Sequence, residues 1–324
     1  MNIKKCIDAI NACRFCFMCR HLDPVGNVTF NESDTPRGRA LIIDKIRMDR
    51  ENLNNQDFIN TMYKSALSAA NRYHCVSHYD EAGLVLAVRK DIVEAGLAPE
   101  AVKKLAKELE HVDFKVEGKG SNLYFGEMPE LYPDSKLISG GDPGKALEVL
   151  GFTNESKNVF EKFKKAVINS KCETLIVAEP SSYDFLKNKF DNIKVIHSSE
   201  YLLSAGVNSQ TQSKAYYLDS DYLKNYNDNL KAPRELLESA GYKLAMFGTN
   251  QEESYSVGEG AVVYDKLYPE LAKKLAERVW EQADNPETDL IITASSYTKS
   301  ILKKYNPAFN VITVEEAVLK AKGN

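Results

Sequence analysis

The sequence predicts a multidomain α+β fold, in which a helical first part precedes two similar α/β units. Up to about residue 110, apolar residues recur three or four positions apart, as in the stretches 42–48, 58–67 and 84–93. This spacing is typical of helices. From about residue 120, short apolar runs such as 174–178 and 290–294 alternate with amphipathic stretches. Short strands that alternate with helices are typical of a largely parallel sheet.

An internal duplication supports the two α/β units. Residues 173–190 and 194–203 are echoed by residues 288–305 and 310–319, with a Ser-Ser-Tyr turn after the first apolar run of each copy. Each copy predicts a strand, a helix, a second strand and a closing helix. Two further helices have apolar faces, formed by Val159, Phe160, Phe163 and Val167 and by Leu267, Leu271, Leu275 and Val279. The predicted domains are a helical domain (1–115), a first α/β lobe (116–212) and a second α/β lobe (213–324).

Composition narrows the class of protein. The chain has 324 residues, of which 27% are charged and 43% hydrophobic, with a formal net charge of -4, which is typical of a globular protein. Lys and Arg are spread along the chain, so we expect no nucleic-acid partner. No apolar run approaches the roughly 18 residues of a membrane span. The start of the chain lacks the apolar segment of a signal peptide, so we expect a cytoplasmic protein.

The cysteines are concentrated near the start of the chain. Four of the six lie in the first nineteen residues, and Cys13, Cys16 and Cys19 form a C-x2-C-x2-C run. Three thiolates at this spacing let one tight loop direct its sulfurs at an iron–sulfur cubane. Structural zinc sites more often pair two separate C-x2-C knuckles. A zinc site and uncoordinated thiols therefore remain the less favoured alternatives.

The fourth ligand has to come from elsewhere. Continuing the ferredoxin pattern C-x2-C-x2-C-x3-C-P puts the fourth cysteine at position 23, where the sequence has Asp23 followed by Pro24. In two-cluster ferredoxins the fourth cysteine of one motif binds the other cluster. Cys75 ends a second stretch with the same spacing, so it is the predicted fourth ligand. The alternative left open is that Cys6 is the fourth ligand and Cys75 a buried apolar residue.

The second stretch predicts which cluster is lost. Reading back from Cys75 with ferredoxin spacing gives Asn71, Ser68 and Ser65, none of which is a cysteine. The vacated ligand positions of one cluster are therefore Asp23, Ser65, Ser68 and Asn71. The complete ligand set of one [4Fe-4S] cluster is Cys13, Cys16, Cys19 and Cys75.

The first hundred residues, and more loosely the whole chain, resemble the iron–sulfur subunits of the glycolate oxidase and heterodisulfide reductase D type. The resemblance is carried by the cysteine run, by Asp23-Pro24, and by residues 32–39, which match the pattern E-x-x-x-P-R-G-R. It implies a ferredoxin-type iron–sulfur domain followed by two cysteine-rich CCG domains.

Downstream the resemblance continues without its cysteines. Residues 217–223 look like Y-H-D-P-C-x-L with Asp221 at the cysteine, and residues 254–260 look like S-F-C-C-G-x-G with Ser256 and Val257 at the cysteines. The resemblance therefore implies degenerate CCG lobes, which we expect to be metal-free because these residues cannot form a thiolate cage. A hard-metal site remains an alternative to solvated loop acids, with Glu127, Asp219, Asp221 and Glu259 as its ligands.

These expectations combine into an electron-transfer subunit of a cytoplasmic oxidoreductase complex, rather than a catalyst on its own. The resemblance implies a partner that is a flavin-containing dehydrogenase or another oxidoreductase subunit. One alternative is a non-redox binding or scaffold protein with a structural cluster and a ligand- or protein-binding cleft between the lobes. A second is an enzyme in which Asp221 and Glu127 carry out acid–base or hard-metal chemistry.

Overall fold

The computed structural model describes residues 1–207, 212–248, 253–285 and 287–323. The chain is a mixed α and β protein, as predicted. Residues 1–110, all of which are described, form helices and turns without a strand. The helices of this part are α1 (Ile7–Ala12), α2 (Pro24–Thr29), α3 (Pro36–Met48), α4 (Gln56–Lys64), α5 (Glu81–Glu94) and α6 (Glu100–Leu109).

Side-chain caps define where several of these helices begin. The Asp23 carboxylate accepts hydrogen bonds from the first turn of α2, and Thr35 accepts one from Gly38 N at the start of α3. Proline occupies the first position of both helices, where its missing N–H costs nothing. The Asp-Pro and Thr-Pro pairs therefore fix two helix starts close to the cysteine loop.

The first sheet follows, with helices on its connections. Its strands are β1 (Lys115–Glu117), β2 (Asn122–Phe125), β3 (Ser135–Ser139), β4 (Thr174–Val177) and β5 (Lys194–His197). Their spatial order is β1-β3-β2-β4-β5, and only the β1–β3 pair is antiparallel. The helices of this part are α7 (Lys145–Leu150), α8 (Thr153–Ser170), α9 (Pro180–Leu186) and α10 (Ser198–Ala205).

The second sheet repeats the arrangement of the first. Its strands are β6 (Lys214–Leu218), β7 (Lys243–Ala245), β8 (Ile291–Thr293) and β9 (Val311–Thr313), all parallel, in the order β7-β6-β8-β9. This is the order β3-β2-β4-β5 with every strand replaced by its counterpart. The helices are α11 (Ala232–Ser239), α12 (Tyr264–Leu267), α13 (Pro269–Trp280), α14 (Ser296–Tyr305) and α15 (Val314–Lys322).

The apolar core crosses from one part of the chain to another. One cluster of buried side chains extends from Ile3 to Val311 and joins the first helices to residues of the second sheet. Another combines residues of both sheets, including Ile176 and Ile292. The predicted face of α8 is buried, whereas on α13 the residues Leu275 and Val279 are buried and Leu271 is half-buried. The domain boundaries stay predictions.

We found no helix in the described part of the chain with the length and apolar character needed to cross a membrane.

Candidate functional site

Four cysteines from two distant segments line one small cavity. These are Cys13, Cys16, Cys19 and Cys75, the residues that the spacing predicts as one ligand set. Cys6 does not line it; its thiol lies 3.9 Å from the carbonyl oxygen of Asn2. Cys172 is buried in the core of the first sheet. The geometry therefore brings the predicted set together and leaves the other two cysteines apart.

Backbone groups are directed at two of these sulfurs. Phe15 adopts a left-handed conformation with φ 50°, and its N–H donates to Cys13 Sγ at 3.4 Å. The N–H of Tyr79 donates to Cys75 Sγ, also at 3.4 Å. Such N–H donors stabilise negative charge on metal-bound sulfur and orient the ligand.

The segment 32–39 holds the cysteine loop in place. Arg37 Nε donates to the carbonyl oxygen of Phe15 at 2.8 Å, and Arg37 Nη1 pairs with Glu32 at 2.7 Å. A Cβ on Gly38 would lie 1.9 Å from the carbonyl oxygen of Glu32, so only glycine fits between the two turns. The Pro-Arg-Gly-Arg sequence therefore has a physical role beside the cysteines.

Burial favours the protonated form of the Cys13 and Cys19 thiols. It raises the pKa of Cys13 and raises that of Cys19 to about 12, with a further contribution from the neighbouring Glu81 carboxylate. A coordinating metal removes the thiol proton outright. The cavity therefore favours a ligand that brings positive charge, as the irons of a cluster do.

The stretch 65–71 repeats two backbone features of the cysteine loop. Leu67, two residues after Ser65, has φ 50°, as does Phe15 two residues after Cys13. The N–H of Leu67 donates to Ser65 Oγ at 3.3 Å, which mirrors the N–H to sulfur contact of Phe15. The side chains at the vacated positions Ser65, Ser68 and Asn71 are all buried.

Other protein groups contact Asp23 and the stretch 65–71, where the sequence predicts the ligand positions of a lost cluster. Arg39 is fully buried and forms ion pairs with both Asp23 and Glu81. Asn225 Nδ2 donates to the carbonyl oxygen of Ser68 at 2.7 Å. These side chains are therefore bonded to other protein groups.

The described part of the chain contains no group of three or more His, Cys, Asp or Glu side chains that could hold a single metal ion. In a cubane each cysteine binds a different iron, so its ligands lie further apart than those of a single ion. Whether a cluster fits therefore depends on the residues that line the cavity. Its wall includes Tyr79, whose buried hydroxyl has no hydrogen-bond partner among the described residues. Such an orphaned donor fits a bound group with acceptor atoms.

A second, larger cavity lies where the carboxyl ends of the two sheets meet. Its volume is about 710 Å³, and its wall includes residues that follow β2, β3, β4, β8 and β9. Ligands of parallel α/β sheets bind at this edge, and the volume is in the usual range for small-molecule sites. Six carboxylates line this cleft: Glu127, Asp142, Glu179, Glu259, Glu315 and Glu316.

Three of these carboxylates, Glu179, Glu259 and Glu315, accept hydrogen bonds from other protein groups. Glu179 accepts from Ser295 Oγ at 2.9 Å and from Ser296 N at 2.8 Å, which connects the two sheets. Glu259 accepts from the N–H of Asp221 at 3.0 Å. Burial raises the pKa of Glu179 and Glu259, and raises that of Glu315 to about 7.

The alternative hard-metal site from the sequence is not assembled in the described residues. Asp219 forms a bidentate pair with Arg234 at 2.7 and 2.8 Å. Asp221 accepts hydrogen bonds from Ser256 Oγ and from the N–H of Gly260. Glu127 is exposed. Asp219 and Asp221 are thus already bonded to other protein groups.

Sequence reasoning missed the polar contacts of Glu315 and Tyr79. Glu315 accepts from the hydroxyls of Tyr124 and Tyr132 at 3.0 and 2.6 Å, across more than 180 residues of chain. No spacing in the sequence indicates such a contact.

Comparison of the chain with protein-family models, with curated proteins and with solved structures finds no match.

Proposed function

We propose that this protein is an electron-transfer subunit that carries one [4Fe-4S] cluster on Cys13, Cys16, Cys19 and Cys75. The observation that carries the proposal is that a three-cysteine loop and a cysteine some sixty residues away line the same cavity. Chance would seldom bring four of six cysteines to one small cavity at ferredoxin spacing.

The bound cluster would supply reversible one-electron transfer. The chain's own residues would hold it and direct the N–H groups of Phe15 and Tyr79 at the sulfurs of Cys13 and Cys75. Donors of this kind help to set the reduction potential. Because a single cluster forms and breaks no substrate bonds, catalysis belongs to a partner.

The partner would dock beside Cys16, the exposed member of the set. Phe17, Met18 and Val76 surround the cysteines with exposed fractions of 64%, 53% and 78%. Exposed apolar side chains in one place mark interaction sites. By the resemblance described above, the partner is a flavin-containing dehydrogenase or another oxidoreductase subunit, in the cytoplasm.

The two sheets would be degenerate CCG lobes behind a ferredoxin-type domain. Their common strand order supports an ancestral duplication, and the residues at the former cysteine positions, among them Asp221 and Ser256, bond to each other. In this proposal the lobes support docking and hold no redox centre of their own.

The cleft between the sheets favours one other function. Its volume of about 710 Å³ and its place at the carboxyl ends of the strands suit a small-molecule binding protein in which the cluster is structural.

The experiment is to purify the full chain without oxygen, measure its iron, and record electron paramagnetic resonance spectra with and without dithionite. We expect about four irons per chain, according to the cubane stoichiometry, and a reducible cluster. Cys75→Ser should lose iron and signal, whereas the matched control Cys6→Ser should retain both.

About eight irons per chain, or a cluster that survives Cys75→Ser unchanged, contradicts the ligand assignment. A chain that loads a cluster which dithionite does not reduce supports the binding protein over the electron-transfer subunit.

A further inference from the structure

We propose that Tyr79 donates a hydrogen bond from its hydroxyl to a sulfur of the cluster and thereby raises the cluster's reduction potential. The inference rests on the proposed function, because it concerns the same cavity. It assigns a role to a residue that the cysteine pattern does not include.

The position of Tyr79 is fixed from both sides of its peptide. Its N–H donates to Cys75 Sγ at 3.4 Å, and its carbonyl oxygen accepts from Asn71 Nδ2 at 3.1 Å. The residue is 3% exposed and lines the cavity with the four cysteines. Tyr79 is therefore a buried part of the cavity wall, and its backbone is hydrogen-bonded on both sides.

The hydroxyl is the unexplained group. It is buried and lacks a hydrogen-bond partner in the described ranges of the chain. A buried donor without an acceptor loses its hydration without compensation, so such groups persist where something else supplies the acceptor. The cavity that Tyr79 lines is the place where a cluster would bring sulfide and cysteinyl sulfur acceptors.

The chemistry of the side chain makes the hydroxyl a donor, because a phenolic O–H can donate one hydrogen bond to a sulfur acceptor. On reduction one electron passes from the external reductant to the cluster, no proton moves, and the added negative charge strengthens the hydrogen bond from Tyr79. A donor that interacts more strongly with the reduced state raises the potential.

The test uses Tyr79→Phe in the full chain, loaded with its cluster, which removes only the hydroxyl. We expect a more negative midpoint potential than in the wild type, measured by a dithionite titration followed by electron paramagnetic resonance. Tyr73→Phe is the matched control, because the Tyr73 hydroxyl has the Lys224 carbonyl oxygen and Asp228 as acceptors within reach and Tyr73 is not part of the cavity wall. Its potential should equal the wild-type value.

An unchanged or more positive potential in Tyr79→Phe overturns the inference and leaves the proposed function intact. A wild-type chain that binds no iron refutes the proposed function instead. If the variant loads too little cluster to titrate, unfolding of the iron-free chains decides. Tyr79→Phe should then unfold at higher denaturant than the wild type, since the orphaned hydroxyl is gone; a lower midpoint overturns the inference.

Discussion

A single arginine connects the acidic residues around Asp23. Arg39 pairs with Asp23 and Glu81 and donates to the carbonyl oxygen of Asp34 at 2.7 Å, with none of its side chain exposed. A buried ion pair is tolerated when its remaining hydrogen-bonding groups are satisfied, and this arginine has an acceptor on each side. Asp23, at the position of a ferredoxin cysteine, is therefore fixed by charge and by capping α2.

Glu315 carries the clearest pH prediction at the scale of residues. Its pKa in the folded state is about 7 because of burial, against 4.5 for an ordinary glutamate. The folded chain therefore keeps a proton that the unfolded chain releases, and this stability is complete below about pH 4.5 and is lost as the pH rises through 7. Glu315→Gln removes the titration. Relative to the wild type, the variant should gain up to about 3 kcal/mol in free energy of unfolding between these limits.

Denaturant unfolding at a series of pH values measures this difference. The matched control is Glu316→Gln, because the neighbouring Glu316 has a lowered pKa and a Lys299 partner, so its substitution should not reproduce the gain. Parallel stability curves for Glu315→Gln and the wild type would show that Glu315 is ionised throughout.

How much of the site can be predicted depends on how local its signals are. The spacing of Cys13, Cys16 and Cys19 records one loop, and ferredoxin spacing points to Cys75 without any knowledge of the fold. The contact of Glu315 with Tyr124 joins positions 191 residues apart. The Tyr79 hydroxyl is notable because no described residue around it offers a hydrogen-bond acceptor. Neither property leaves a pattern in the chain.

At the scale of elements, the stretch 65–71 is a loop that packs against another part of the chain. Its carbonyl groups accept hydrogen bonds from the segment after β6: Tyr226 donates to Leu67 O at 2.6 Å and Asn225 to Ser68 O at 2.7 Å. This loop is thus a packing surface for a connection of the second sheet. Periodicity predicts helices and strands here, but it does not say which elements pack against each other or in what order strands pair.

Gly260 tests this packing directly. A Cβ at this position would lie 2.0 Å from the carbonyl oxygen of Leu67 and 2.7 Å from that of Ala66, so the loop would have to move. We expect Gly260→Ala to lower the free energy of unfolding by about 1–3 kcal/mol, the usual cost of overpacking. In the control Gly323→Ala the nearest atom is 3.7 Å away, and stability should be nearly unchanged. Equal unfolding midpoints for the two variants would contradict the contact.

At the scale of the whole molecule, the first helices and the second sheet share one core. Ile43 of α3 and Phe309 before β9 belong to the same buried cluster, and Trp280, the chain's single tryptophan, packs on Phe309 with ring centroids 4.8 Å apart. Parts that share a core lose their stability together. The predicted boundary near residue 115 therefore does not imply that the helical part unfolds alone.

The shared core makes a prediction about substitutions far from the tryptophan. Ile43 is fully buried, so Ile43→Ala should cost about 2–5 kcal/mol. Because Trp280 reports on the other end of the cluster, its fluorescence transition in denaturant should move by the same amount as the far-ultraviolet circular dichroism of the helices. If the circular dichroism moves while the Trp280 transition stays in place, the helical part is an independent unit. Coincident shifts mean that the cysteine loop is stabilised by the whole chain, including both sheets.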